Sequence, residues 1–378
     1  MAGRKLRGHG EGSISQRKDG RWVAEITLED HSRKQFYGKS KKEVQEKLRH
    51  GIMQQKQGML ATGPQQTVEQ FLEYWLEDVH KARIRQGTYV GYRIILDKHL
   101  IPGLGHIWLQ KLTAQHVRSL YAKKLKEGFT AKRVRDMHMV LHGALGYAKR
   151  IKLVGSNVCD DVKLPQSKQR EIQPLTPEQA QVLLQKVREH HLETLLALAL
   201  TTGMRRGEIL GLRWQDVDLQ KGMLQVCRAV SYFGRRGFPV GEPKTEKSKR
   251  KIMLPQFVVE ALKRHRTIQL ETRLQAGAAW IENDLVFSNN YGGFIVPVTL
   301  TNHFSKLLEE IGLPRMRFHD LRHSAATLLL QMGVPAKVVQ EILGHSTFST
   351  TMDRYSHVLP SMQQEAMDKK DDLFRQQW

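Results

Sequence analysis

Cysteine is scarce in this chain. Cys159 and Cys227 are its only two, far apart and without metal-ligand spacing around them. That excludes a disulfide framework and a structural zinc knuckle, and points to a reducing compartment. Long apolar runs are missing as well. The longest, Leu195 to Leu200, falls far short of the roughly 20 residues a membrane span requires. The N-terminus, MAGRKLRGHGEGS, lacks the apolar stretch of a signal peptide, so a soluble, cytoplasmic protein is expected. No nucleotide-binding loop is legible, because Gly8-His-Gly10-Glu-Gly12 has no strand before it and reads as a flexible lead. No repeat recurs at solenoid periods. Acidic residues are the last shortage: 38 Asp+Glu stand against 60 Lys+Arg, for a formal charge of +22. Such an excess calls for a polyanionic partner, whose condensed counterions are released on binding. The basic residues recur along the whole length rather than on one amphipathic helix, so nucleic acid is favoured over a membrane surface.

What is present divides into three segments. Residues 1–60 read as a small basic module, a three-stranded sheet plus a helix. Trp22, Ala24, Ile26 and Leu28 alternate with Val23, Glu25 and Thr27 at strand periodicity, and Lys34 to Tyr37 supplies a pairing strand. Ser40-Lys-Lys-Glu43 is a capping box, opening a helix with Val44, Leu48 and Ile52 on one face. Either this is a DNA-binding module, contacting phosphates through Arg21, Arg33, Lys34 and Lys39, or it is a basic tail; the regular pattern favours the module. Residues 61–166 read as all-helical. Thr67 to Gln70 caps a helix carrying Phe71, Leu72, Trp75, Leu76 and Val79, and Thr88–Leu100, Thr113–Leu125 and Ala131–Ile151 repeat the period. Pro102-Gly103-Leu-Gly105 is expected to turn between two of them. The one-sided charge of Lys123, Lys124, Lys132 and Arg133 suggests a DNA-facing surface rather than only a solvated one. Leu164 to Pro174, polar and with a proline near each end, reads as a linker. Residues 167–378 form the third segment, mainly α with a small antiparallel sheet and a tail helix.

Chemistry concentrates in that third segment. An apolar helix, Leu192 to Leu200, ends at Thr201-Thr202-Gly203, and Arg205 follows at a buried elbow with Glu208 three residues on to orient it. Met223 to Leu254 reads as strands with a hairpin whose basic edge, Pro243-Lys244-Thr245, can reach a DNA groove. Arg317-Phe-His319-Asp-Leu-Arg322-His323 opens a helix that places His319 and Arg322 on one face. An imidazole beside a guanidinium suits phosphate chemistry. The His319–His323 spacing also fits a helical zinc pair, but that motif wants a glutamate second and a third ligand. Leu343-Gly344-His345 ends a further helix, and Tyr355 comes ten residues after His345.

TTGMRRGEILGL, PKTEKSKR, HDLRHS, LGHS and DRYSH, in this order, resemble the tyrosine recombinases, the phage integrase family. The resemblance covers about 200 residues. It implies that Tyr355 attacks DNA to form a 3′-phosphotyrosyl link and free a 5′-hydroxyl. Arg205 and Arg322 would stabilise the phosphate, with Lys244 as general acid, His319 as general acid/base, His345 as a further phosphate donor and Glu208 as support to Arg205. The bond energy is kept in the link, so neither metal nor cofactor is implied. The first segment is similar to the family's arm-type DNA-binding domain and the second to its helical, SAM-like core-binding domain. The implied partners are double-stranded attachment sites, core and arm. A homotetramer on DNA joined by exchange of C-terminal tails is also implied, with a host DNA-bending protein or an excisionase as accessory. The tail after Pro360, with Met362, Ala366, Met367, Leu373, Phe374 and Trp378, docks on its own domain or on a neighbour's. The expected role is a mobile element's integrase, in the cytoplasm of a bacterial host on the nucleoid.

Three other readings compete. A type IB topoisomerase or a chromosome-dimer resolvase resembles this mechanism, but the N-terminal module and the tail favour integration. A helix-turn-helix regulator would account for the helices meeting at Gly333, yet it has no use for six clustered catalytic side chains.

Overall fold

The computed structural model describes residues 12–27, 33–56, 65–166, 173–234, 237–241 and 249–344, with 367, 368 and 370. The chain divides into two compact units, Met1–Gln169 and Arg170–Trp378. No helix among the described residues is long and apolar enough to cross a membrane.

The first unit opens on an antiparallel sheet of β1 (Ser13–Gln16), β2 (Trp22–Thr27) and β3 (Arg33–Gly38), followed by α1 (Lys41–Lys56). Cross-strand partners Ala24–Phe36 and Ile26–Lys34 put one face of the pleat against α1. There Ala24 and Ile26 meet Val44 and Leu48. Lys34 shares that face, opposite Ile26, and burial holds its ammonium below the ordinary lysine range. The start of α1 is capped as expected by the Ser40 hydroxyl, which accepts from the Glu43 N–H at 3.2 Å. The returning Glu43 carboxylate takes the N–H of Lys39 at 2.9 Å, one residue earlier than a strict box.

The helical part of this unit comprises α2 (Val68–Tyr74), α3 (Gln86–Ile95), α4 (Ile101–Leu104), α5 (Ala114–Lys126) and α6 (Ala131–Arg150). Thr67, Thr113 and Thr130 cap α2, α5 and α6 through their hydroxyls. Phe71, Leu72, Leu96, Leu100, Met137 and Leu141 are fully buried in the shared core. The expected turn at Pro102 is displaced. A π-helical turn, Leu96–Leu100, runs straight into α4, so Pro102 and Gly103 lie within helix. The chain turns only after Leu104. Burial of Leu100 and Leu104 outweighs the breaker signal. Pro102 sits in the first turn of α4, where its missing N–H is tolerated. Gly103 lets Leu120 approach to where a Cβ would stand 2.5 Å away.

The second unit contains α7 (Pro177–Lys186), α8 (Glu193–Thr202), α9 (Arg206–Leu210), β4 (Val217–Asp218), β5 (Met223–Val226), β6 (Ala229–Val230), β7 (Val240–Gly241) and β8 (Arg250–Met253). After these come α10 (Gln256–Ala276), α11 (Pro297–Glu310), α12 (Asp320–Gln331) and α13 (Ala336–Leu343). β4, β5 and β8 form one antiparallel sheet, β6 and β7 a two-stranded one. The apolar α8 is buried on nearly every side, as a helix hydrophobic all round must be. Ile209, Val258, Leu262 and Phe304 close around it. A smaller core of Ala326, Leu330, Val339 and Leu343 locks α12 to α13.

Candidate functional site

The site grows from two helix ends. α8 stops at Gly203, whose φ of +61° is left-handed. A Cβ there would stand 2.3 Å from Leu343, so glycine both ends the helix and admits the end of α13. Arg205 then caps α9. Its elbow is buried, as the apolar flanks require, but its side chain remains 38% exposed. Glu208, one turn on, is 3% exposed. One carboxylate oxygen accepts from the Arg205 guanidinium at 2.7 Å, and the other from the Arg205 backbone N–H at 3.0 Å.

Sequence reasoning missed the third member of this group. Arg250, first residue of β8, donates to the second Glu208 oxygen at 3.0 Å and to the Ile342 carbonyl at 2.5 Å. Its side chain is only 6% exposed. The run Lys247-Ser-Lys-Arg250-Lys251 looks like a solvated edge. The available signal was the two-residue period of a strand: Arg250 shares a face with buried Ile252, while Lys251 and Met253 are exposed.

Arg322 lies on α12 and is also 3% exposed. It donates to the carbonyls of Gly203 at 2.7 Å and Leu343 at 2.8 Å. Arg205 reaches the next carbonyl, Gly344, at 3.3 Å. Three guanidiniums from three elements therefore fasten to successive carbonyls at the C-terminal end of α13, where the helix dipole is negative. Gly344, at φ +68°, ends that helix.

Burial alone would raise the Glu208 carboxyl. The charge and hydrogen bonds of Arg250 and Arg205 override it and hold the group below its ordinary 4.5. A depressed carboxylate contributes stability above pH 4.5 that is lost as pH falls through its folded value. Glu208→Gln is therefore expected to cost on the order of 3–5 kcal/mol at pH 7, since it leaves the buried Arg250 cation uncompensated. The deficit should shrink below pH 4.5. Urea melts of both proteins at pH 7 and pH 3.5 measure it, and a pH-independent difference would mean that the carboxylate's charge is not what matters.

The expected helix at Arg317 begins later, at Asp320. Arg317 to His319 form the turn before it, and the Arg317 N–H donates to the Asp320 carboxylate at 2.9 Å. His319 is consequently the cap residue and exposed, whereas Arg322 points inward. His323 is buried with its ring edge-on to His319, centroids 5.5 Å apart. Lys244, His345 and Tyr355 lie outside the described residues, as does the tail apart from 367, 368 and 370. Neither cysteine is poised as a thiolate: burial pushes the Cys159 thiol up to about 12 and raises Cys227 as well.

The basic residues expected at DNA differ in setting. Lys123 and Lys132 are exposed. Lys124 pairs with Glu127 at 2.8 Å and lies over the Phe129 ring. Arg133 stands 3.4 Å from the His99 ring nitrogen. Arg21 is exposed but doubly bonded to Asp19, Arg33 lies 3.7 Å from Glu25, and Lys39 is exposed.

A model of the phage integrase family matches residues 173–362, and a model of the phage integrase N-terminal SAM-like domain matches residues 67–125. A tyrosine recombinase XerC-like protein of Caldanaerobacter subterraneus subsp. tengcongensis is 30% identical over 90% of this chain and 92% of its own. An integrase of Streptomyces ambofaciens is 30% identical over 99% of each. Among solved structures, the Tn1549 transposon integrase in complex with circular intermediate DNA superposes with a TM-score of 0.67 at 20% identity. It covers 80% of this chain and 99% of that one. A lambda integrase dimer bound to a core site gives 0.57 at 16% identity, over 94% and 96%.

Proposed function

This chain belongs to the phage integrase family and is a site-specific tyrosine recombinase of DNA integration or excision, and from that premise we propose how its residues divide the work. Tyr355 is the nucleophile. It attacks the scissile phosphorus, expels the 5′-oxygen and leaves a 3′-phosphotyrosyl link, splitting one hard displacement into two reversible ones. Arg205 and Arg322 face the non-bridging oxygens, where the transition state gathers charge and a planar, permanently charged fork is worth most. Lys244 protonates the leaving 5′-oxygen, His319 acts as general acid/base, and His345 donates a further hydrogen bond to the phosphate.

One observation carries this reading. Arg205 and Arg322 are fastened to adjacent carbonyls, Gly344 and Leu343, at the end of the helix that leads directly to His345 and Tyr355 in the sequence. Carbonyl anchors fix both guanidiniums before substrate arrives, so little reorganisation is left for the reaction.

The test is a core-site duplex nicked near the cleavage position, so that the freed strand diffuses away and the covalent complex accumulates. The complex should form undiminished in excess EDTA and without ATP. Loss in chelator with rescue by a divalent ion would overturn the metal-free mechanism and revive a role for His319 and His323 as ligands.

The segments are assigned as an arm-binding module over 1–60, a core-binding domain over 61–166 and a catalytic domain over 167–378. The partners are core and arm attachment sites, bound by a tetramer that exchanges tails, with a DNA-bending protein or excisionase setting direction. Lambda integrase has been solved as a tetramer bound to a Holliday junction, which supports this assembly. A fragment beginning near Leu60 should still cleave a saturated core site yet fail at full integration. Arm contacts raise the local concentration of protein without adding chemistry. Arg21, Arg33, Lys34, Lys39, Lys41 and Lys42 can meet phosphates, so the module's affinity should fall steeply with salt. Gel shifts across a salt series and integration assays check this. Full integration by the fragment would leave residues 1–60 as a basic tail.

A further inference from the structure

Glu208 poses an electrostatic problem for the proposed site. A buried carboxylate 2.7 Å from Arg205 orients that guanidinium but also cancels the charge a phosphate needs. The structure supplies a second cation. Arg250 meets the same carboxylate at 3.0 Å from the opposite oxygen, with both side chains almost wholly buried. We infer that Arg250 is a positioning residue for the cleavage reaction: it shares the charge of Glu208, so that Arg205 is held in place without being neutralised. The inference rests on Arg205 being a phosphate ligand.

Three features support this. Three guanidiniums against the one carboxylate leave two positive charges in the cluster, matching the charge that a phosphodiester gathers on its non-bridging oxygens during attack. Arg250 also bonds the Ile342 carbonyl, beside the Leu343 and Gly344 carbonyls held by Arg322 and Arg205, so one rigid anchor serves all three. Its fit is close: the Gly344 Cα faces the guanidinium, and a Cβ there would stand 3.0 Å from an Arg250 nitrogen.

The role predicts energetic coupling that a purely structural side chain would not show. The full chain is assayed for covalent-complex formation on the nicked core substrate at saturating protein, as wild type, Arg205→Ala, Arg250→Gln and the double variant. Arg250→Gln should slow the reaction about tenfold or more while core-site affinity stays within about threefold of wild type. The double variant should be no more than about twofold slower than Arg205→Ala, because removing Arg205 removes what Arg250 acts through. Multiplicative losses, or a wild-type rate for Arg250→Gln, would overturn the inference. If Arg250→Gln does not fold, the same cycle is run with Arg250→Lys, which keeps the charge but cannot fork to Glu208 and Ile342 together. A slowing of about threefold or more that vanishes beside Arg205→Ala supports the inference, and any other pattern overturns it. A wild-type rate for Arg205→Ala alone would instead overturn the reading of the site.

Discussion

Arg322→Ala is expected to slow cleavage of the core substrate by on the order of 10²–10³-fold, the usual loss when a preset transition-state donor is removed. It should also destabilise the second unit. The side chain is 3% exposed and satisfies the carbonyls of Gly203 and Leu343. Leaving two buried acceptors without donors costs about 1–3 kcal/mol each, and the vacated volume adds to that. The two effects separate by temperature. Cleavage is measured well below the lowered melting point, with folding checked by circular dichroism. Arg322→Lys sharpens the test, since a lysine retains the charge but has no planar fork to span two carbonyls and a phosphate. It should melt nearer to wild type than Arg322→Ala and still cleave poorly. Cleavage within a few-fold of wild type for both variants would make Arg322 a strut of the fold and nothing more.

Much of this site is written locally. The Gly203 turn, Arg205 and Glu208 fall within six residues, and a three-residue spacing on a helix brings side chains together whatever the rest of the chain does. The capping threonine at 67 is legible for the same reason. Arg250 is not, because its partner Glu208 lies 42 positions away and its neighbours in sequence are solvated cations. The common anchor at Ile342, Leu343 and Gly344 is hidden more deeply. It consists of backbone carbonyls, which every residue has, reached by arginines 92, 21 and 139 positions distant. Sequence pattern can nominate a guanidinium but carries no mark of the carbonyl it will meet. The proline at 102 is the converse case, where a strong local signal is overruled by burial of Leu100 and Leu104 on either side.

Tyr355→Phe should have the largest effect of any substitution in the chain. It removes one oxygen, the atom proposed to bond phosphorus, and leaves a ring of the same shape. Core-site affinity should stay within about threefold of wild type, because none of the basic residues is touched. Covalent complex should fall on the order of 10⁴-fold or more, as it does when a nucleophile is deleted from a site whose other members remain. Neither Cys159 nor Cys227 is a ready substitute, since burial raises both thiols above the ordinary cysteine range. A surviving adduct in Tyr355→Phe would point to another nucleophile, and joint loss of binding and cleavage would point to a structural role.

The most direct measurement maps the attachment itself. Wild-type protein is trapped on the nicked core substrate, the complex is digested with protease, and the peptide left on the DNA is identified by mass spectrometry. The expected result is a single peptide containing Tyr355, joined through its phenolic oxygen to a 3′-phosphate. A peptide lacking Tyr355, or attachment to a 5′-phosphate, would contradict it.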